Sequence, residues 1–144
     1  MDRPALTFID ATPEHFDAIV RIEREAGGGS LVVLTDGLAL DEALRRGHDV
    51  IVVLADGDVA GWIWFTVDAA RGGEDVGQVF RVAVARAHLR NGVGSALVKQ
   101  AQTILARRQC TRVRFTLPGD DGATRAFLAR LGYAVDAVIM ERPL

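Results

Sequence analysis

The sequence predicts an α/β domain, an α+β mixed sheet with helices packed beside it. Three observations carry this. Short apolar or alternating runs at Leu6–Asp10, Asp49–Ala55, 59–67, 76–85, 112–117 and 133–141 read as strands. The tripeptide Asp56-Gly57-Asp58 between two of them is a strong hairpin signal. Segments with a helical apolar period separate the others, giving the order strand, helices, antiparallel strands, helix, strand, helix, strand. At 144 residues the chain is expected to form one domain, 1–144.

Each element has its own cause. Leu6–Asp10 is a short strand. Thr12-Pro13-Glu14 opens a helix: Thr12 can cap, Pro13 suits the first helical position, and Glu14 faces the positive end of the dipole. Phe16, Ile19, Val20, Glu23 and Ala26 follow at helical spacing. Gly27, Gly28, Gly29 and Ser30 end it and begin a loose stretch, with a short helix expected at 41–46. Strands Asp49–Ala55 and 59–67 flank the hairpin turn, and 69–75 is a polar, glycine-rich loop. The strand 76–85 places Val76, Gln78, Phe80, Val82 and Val84 on one face. A helix is expected over 92–108, with Val93, Leu97, Ala101, Ile104 and Leu105 inward and Lys99 and Arg107 outward. Strand 112–117 ends at Pro118-Gly119-Asp120; a helix from Asp121 or Gly122 runs to Arg130. Gly132 sits where a helix ends in the left-handed conformation, and 133–141 supplies the last strand.

Composition narrows the function. Basic residues number 17 and acidic residues 19, so the basic footprint of a nucleic-acid binder is missing. The arginines Arg107, Arg108, Arg112 and Arg114 read as solvated surface. The single cysteine, Cys110, excludes an internal disulfide and a cysteine metal cluster, and its place after an apolar helix reads as a half-buried structural thiol. No metal is expected. The start Met1-Asp2-Arg3-Pro4 lacks a signal-peptide core and no stretch is long enough to span a bilayer, so a soluble, cytoplasmic protein without a membrane partner is expected.

The segment 82–97 carries the chemistry. A strand passes through a short turn into a helix whose first residues include Gly92 and Gly94. Glycine lets backbone N–H groups approach a ligand closely. The free N–H groups and dipole of a helix start suit an anion such as a pyrophosphate, and Ser95 can add a hydroxyl. A bare Gly-x-Gly also serves a tight turn with close packing. A dinucleotide fingerprint is a poor match: Leu97 occupies a Gly/Ala position, and Arg112 stands where an acid belongs. The Gly-Lys-Ser/Thr of a P-loop is missing.

This segment resembles the acetyl-CoA motif of the GNAT acyltransferases, Q/R-x-x-G-x-G/A. Val84 stands eight residues before Gly92, as the strand-end valine of that family does. Asp121-Gly122-Ala123-Thr124-Arg125-Ala126-Phe127-Leu128-Ala129-Arg130-Leu131-Gly132-Tyr133 resembles the family's second motif, N-x-x-A-x-x-F-Y-x-x-x-G-F. The element order is similar over essentially the whole chain.

The resemblance implies a GNAT-like fold: a mostly antiparallel twisted sheet flanked by helices, with a splayed strand pair binding coenzyme A. It implies acetyl-CoA as co-substrate and an amine acceptor. The pantetheine arm would pair with Val82 and Val84 across Ala83. The pyrophosphate would sit on the amides of Arg90, Asn91, Gly92, Val93, Gly94 and Ser95, with Leu89 a further coenzyme-binding residue through its backbone. Asp121, Thr124, Phe127 and Leu128 would flank the far side, with Arg90 or Arg125 able to reach a phosphate. Relatives often dimerise, so a homodimer is an expected partner state. Three departures stand out. Leu89 occupies the motif's Q/R position, Asp121 replaces an Asn and can cap a helix instead, and Leu128 replaces the Tyr that often protonates the departing thiolate. Tyr133 matches a packing aromatic.

The family's usual chemistry is direct attack of a neutral amine on the thioester, the oxyanion polarised by a backbone N–H, here that of Val84. A lysine amine is neutral roughly four times in ten thousand at pH 7, and an α-amine roughly one time in ten. The base is not identified. Some relatives carry Glu where Gln78 stands, and Gln78 can orient an amine or water but cannot take its proton. Glu74 and Asp75 are the nearby acids, and solvated loop residues are the alternative for both. His15, His48 and His88 read as surface or capping residues. Trp62 and Trp64 share one face, with Phe65 on the other, as core or as a wall of the acceptor pocket. The segment 27–40 is the candidate acceptor loop. Two functions remain: an N-acetyltransferase acting on a small amine or a protein N-terminus, and a coenzyme-binding sensor or interaction module with little activity.

Overall fold

The computed structural model describes residues 5–26, 42, 45, 49–69, 74–117 and 121–144. Five strands form one sheet in the order β1 (Leu6–Asp10), β2 (Asp49–Ala55), β3 (Asp58–Ala69), β4 (Asp75–Val84) and β5 (Arg112–Phe115). The first four are antiparallel neighbours, and β5 runs parallel to β4. A parallel neighbour needs a long crossover, and helix α2 (Val93–Arg107) supplies it. Helix α1 (Phe16–Glu25) covers the opposite face of the sheet, and α3 (Gly122–Arg130) follows β5.

Two cores result. On the α2 face, Ile51, Val53, Ile63, Phe65 and Val79 meet Val93, Leu97, Ala101 and Leu105. On the α1 face, Val50, Val52, Trp62 and Trp64 meet Ile19 and Ile22. Each Val, Leu, Ile or Phe among them contributes about 1.5–3 kcal/mol by leaving water. The alternation of Trp62 and Trp64 against Phe65 is therefore realised, and both tryptophans are fully buried. Helix α2 approaches the sheet closely because Gly61 and Gly77 lie beneath it. A Cβ on Gly61 would stand 2.8 Å from the Ala83 carbonyl oxygen and 3.0 Å from Leu97 Cδ1, and one on Gly77 would collide with Leu105.

The single-face reading of 76–85 does not hold. Trp64 opposes Arg81 and Phe65 opposes Val79, so Phe80 is an extra residue, a β-bulge. One inserted residue exchanges the faces of everything beyond it. Phe80 packs in the α1 core, its ring 4.3 Å from that of Trp64, while Val82 and Val84 pack in the α2 core.

The expected strand at 133–141 is also not formed. Gly132 is left-handed at φ 94°, as expected, but residues 134–144 adopt no regular structure and take part in no hydrogen bond among the described residues. Their alternation suits a strand, but a strand requires a ladder partner, and these residues have none among the described residues. The expected helix at 41–46 is described only at Glu42 and Arg45, both helical. The segment 27–40, His48, most of the 69–75 loop and the 118–120 turn lie outside the described residues.

Replacing Gly61 by Ala should destabilise the fold by about 1–3 kcal/mol, because its Cβ meets backbone as well as a core side chain. Urea denaturation measures this as a lower midpoint with an unchanged slope.

Candidate active site

The site begins where two strands part. β4 pairs with β5 only over residues 76–79, ending at Val79 opposite Phe115, whereas β4 itself continues to Val84. The β5-side edge of β4 from Phe80 onward therefore has no strand beside it among the described residues. Ala85 donates its N–H to Ala60 of β3 at 2.7 Å. Alternation along an antiparallel strand then directs Ala83 and Arg81 toward β3 as well, and turns the N–H and carbonyl groups of Val82 and Val84 to the open edge. Gln78 marks the parting point: its Nε2 donates to Thr116 Oγ1 at 3.4 Å and to its neighbour's carbonyl, that of Val79, at 3.3 Å.

The open edge leads to the start of α2. Ala85 passes through a short 3₁₀ turn, Arg86–His88, into Leu89, Arg90 and Asn91. Arg90 has φ 65° and Gly92 has φ 75°, both left-handed. Such residues beside helical ones turn successive N–H groups to one side, a concavity suited to anions. Gly92 is the N-cap, no side chain caps the helix, and no acid stands in its first turn. The first N–H groups of α2 are thus uncompensated at the positive end of a 15-residue dipole. Leu89, Arg90, Asn91 and Gly92 are exposed, and Gly94 and Ser95 are half-buried.

Gly94 separates packing from ligand access. A Cβ there would lie 3.4 Å from Phe127 Cζ and 3.5 Å from Val84 Cγ2, which is ordinary contact. The folded chain would accept an alanine, so tight packing does not demand this glycine. The same contacts bring Phe127 of α3 over the first turn of α2 and against Val84. Asp121 caps α3, its Oδ1 accepting from the Thr124 N–H at 3.1 Å. Thr124 is half-buried and Leu128 is buried in the α3 interior face. Val84, the first turn of α2 at Gly94 and Phe127 are therefore brought together.

Other candidates lie elsewhere. Glu74 accepts from Thr111 Oγ1 at 3.2 Å, and the Asp75 carbonyl accepts from the Thr111 N–H at 3.1 Å. Both acids stand at the start of β4, about 20 Å along the strand from Val82. His88 faces Asp58, with Nε2 3.0 Å from Oδ2, and His15 Nδ1 accepts from the Thr12 N–H at 3.0 Å. Tyr133 packs edge-on against Phe115, and its hydroxyl accepts from Gln102 Nε2 at 2.6 Å. Burial pushes its phenol up, with the Gln102 hydrogen bond opposing. Cys110 is half-buried, and desolvation raises its thiol as well. Among the described residues no cluster of His, Cys, Asp and Glu could hold a metal.

One cluster was not anticipated. Glu23 is buried on α1 and accepts from Arg81 Nε at 2.7 and 2.9 Å, Arg81 Nη2 at 2.6 Å and Trp62 Nε1 at 3.0 Å. Hydrogen bonding to Glu23 raises the Arg81 guanidinium above its ordinary value, against the effect of burial, and Asp121 adds to the rise from across the parting. The available signal was an acid inside the apolar stripe of α1. Arg81 follows the bulge directly, so the pair fastens the bulged strand to α1.

The chain matches the acetyltransferase (GNAT) family over residues 16–133. It is a member of the GNAT family. No curated protein sequence matches this GNAT chain. Solved structures share its fold at low identity. A transcriptional regulator from Bacillus halodurans C-125 superposes with TM-score 0.76 at 17% identity, covering 97% of this chain and 100% of its own. Glucosamine-6-phosphate N-acetyltransferase from Arabidopsis thaliana gives 0.70 at 14%, covering 96% and 98%. AAC(6')-Iy in complex with the bisubstrate analogue CoA-S-monomethyl-acetylneamine gives 0.69 at 17%, covering 97% and 99%. As a GNAT protein the chain is an acyltransferase by family, with acetyl-CoA as the family's co-substrate.

Two outcomes test this account. Glu23→Ala should cost about 2–3 kcal/mol, below the 3–5 kcal/mol of a fully buried pair because Arg81 is 38% exposed; thermal unfolding reads it. Tyr133 is the only tyrosine, so ultraviolet titration isolates it. Its native midpoint should exceed the ordinary value of about 10. The unfolded phenol then ionises first, so stability from this group is complete below pH ~10 and declines as pH rises further.

Proposed function

We propose that this GNAT protein is an acetyl-CoA-dependent N-acetyltransferase acting on a primary amine of a small molecule or a protein N-terminus. The single supporting observation is the open edge of β4 running into an uncapped helix start. In this reading the backbone of Val82 and Val84 aligns the pantetheine arm across Ala83. The amides of Arg90, Asn91, Gly92, Val93, Gly94 and Ser95 hold the pyrophosphate, with Leu89 a further contact through its backbone. Thr124 and Phe127 close the far side with Leu128 beneath, and Asp121 contributes as the cap that fixes Thr124. Bound acetyl-CoA would supply an activated thioester carbonyl.

The chain's own groups then orient and polarise. The Val84 N–H, on the open edge, donates to the oxyanion. Gln78 at the parting point can orient the amine or a water. Leu128 holds no proton for the leaving thiolate, which favours protonation by solvent. Glu74 and Asp75 stand at the far end of β4, and both Glu23 oxygens are taken. This arrangement favours an acceptor that supplies its own neutral fraction, such as an α-amine, over a lysine side chain. The segment 27–40 is the proposed acceptor loop. A cytoplasmic location fits this chemistry.

A second reading rests on the same lack of a described acid and base at the edge: a coenzyme-binding module with little turnover. Thiol release from acetyl-CoA across an amine panel separates the two. Release with at least one amine supports the transferase, and binding without release for every amine supports the module. For the transferase, kcat/KM should climb with pH until the acceptor's own pKa, since only neutral amine attacks. A plateau far below that pKa would reveal an enzyme base.

Two variants test the cradle. Gly94→Ala should leave stability unchanged or raise it by up to about 1 kcal/mol, as Gly to Ala in a helix does, while weakening coenzyme binding in calorimetry. Gly92→Glu should abolish binding by bulk and charge repulsion. Unaltered affinity in both would contradict the site.

A further inference from the structure

A coenzyme arm on the open edge of β4 would lie in the plane of the sheet. On one side of that plane Val82, Val84 and Phe127 pack against the α2 core. An amine would therefore meet the thioester from the other side, the α1 face. Beyond the bulge, two side chains of β4 belong to that face. Ala83 is buried in the α1 core, and Arg81 is held by Glu23 of α1.

Arg81 is gripped on one edge only. Its Nε and Nη2 donate to the Glu23 carboxylate, at 2.7 and 2.9 Å from Nε and 2.6 Å from Nη2. The opposite edge of the fork, Nη1 with the second N–H of Nη2, has no hydrogen-bond partner among the described residues. Exposure falls on the arginine and not on the acid: the Arg81 side chain is 38% exposed and that of Glu23 2%. Glu23 Oε1 also accepts from Trp62 Nε1, and Trp62 stands opposite Ala83, the residue before Val84. Asp121, the acid that acts on Arg81 from across the parting, has its Oδ1 committed to the Thr124 N–H as the cap of α3.

An apolar pair of the same volume often stabilises a core as well as a buried ion pair does. What the ion pair adds here is a guanidinium fixed in orientation before a ligand arrives, which lowers the ordering cost of binding. A guanidinium edge with two parallel N–H groups matches a carboxylate or a phosphate. Arg81 precedes Val84 by three residues, about 10 Å along the strand. A small amine with an anionic group a few bonds away suits that spacing.

We propose that Arg81 anchors an anionic group of the acceptor, so that the substrate is a small primary amine carrying a carboxylate or a phosphate. This rests on the N-acetyltransferase reading and narrows its acceptor class.

Thiol release from acetyl-CoA with matched amines tests it, each pair compared at equal concentration of neutral amine. Amino acids against their amides isolate a carboxylate, and phosphoethanolamine against ethanolamine isolates a phosphate. At least one anionic member should exceed its neutral partner by about tenfold or more in kcat/KM, the scale of one charge-assisted hydrogen bond. The pair that shows it names the anion. In the double variant Glu23→Gln with Arg81→Gln, which leaves no buried charge unpaired, the preference should vanish through a raised KM. Arg81→Lys, which preserves the ion pair, should also lose most of it, because an ammonium offers no second edge. Acetyl-CoA affinity in calorimetry should stay in both variants. Equal rates within every pair, a preference that survives both variants, or a neutral peptide N-terminus preferred over every anionic amine overturns the anchor and leaves the transferase reading standing. Loss of acetyl-CoA affinity in both variants also overturns it, because Arg81 would then be a strut of the coenzyme edge. Coenzyme bound with no thiol released by any of these amines overturns both.

Discussion

The structure depends on where one ladder stops. β4 and β5 share hydrogen bonds for four residue pairs, to Val79 and Phe115, and β4 then continues paired with β3 on its other side only, among the described residues. Backbone groups left unpaired in a fold are costly unless something else meets them. Here they lie along a line that ends at a second set of unpaired donors, the first turn of α2. Two sheet and helix defects are thus aligned into one elongated polar surface. A ligand with an amide-bearing arm and a pyrophosphate matches both halves of that surface.

The rest of the fold holds this geometry. Gly61 and Gly77 let α2 lie against β3 and β4, which fixes the helix start beside the end of β4. The bulge at Phe80 turns Val82 and Val84 into the α2 core, while Arg81 points to α1 and is gripped there by buried Glu23. The bulge sits one residue past the last β4–β5 pair. A local change of twist at that point is the natural place for strands to separate.

Much of this was legible in the sequence, and for specific reasons. Asp56-Gly57-Asp58 carries its turn chemistry in three residues, Gly57 taking φ 86°. The α2 boundaries follow from Gly92 and from the period of Val93, Leu97, Ala101 and Leu105. Gly132 was readable because left-handed helix ends select glycine. Asp121 proved to be the cap that its position allowed. What was hidden depends on partners distant in sequence. A bulge is a mismatch between two strands, so Phe80 gives no sign of it alone. Glu23 and Arg81 lie 58 residues apart, and each looks like an ordinary charge until the fold joins them. The 133–141 segment shows the converse: its alternation is strand-like, but whether a strand forms is decided by an edge to pair with.

The central claim is that the amides from Arg90 to Ser95, with Val82 and Val84, receive the coenzyme. Amide NMR of the full chain during titration with acetyl-CoA tests it most directly. The account expects saturable shifts at those residues, with Glu74 and Asp75 at the other end of β4 unaffected. If saturating coenzyme moves other amides and leaves these in place, the account is wrong.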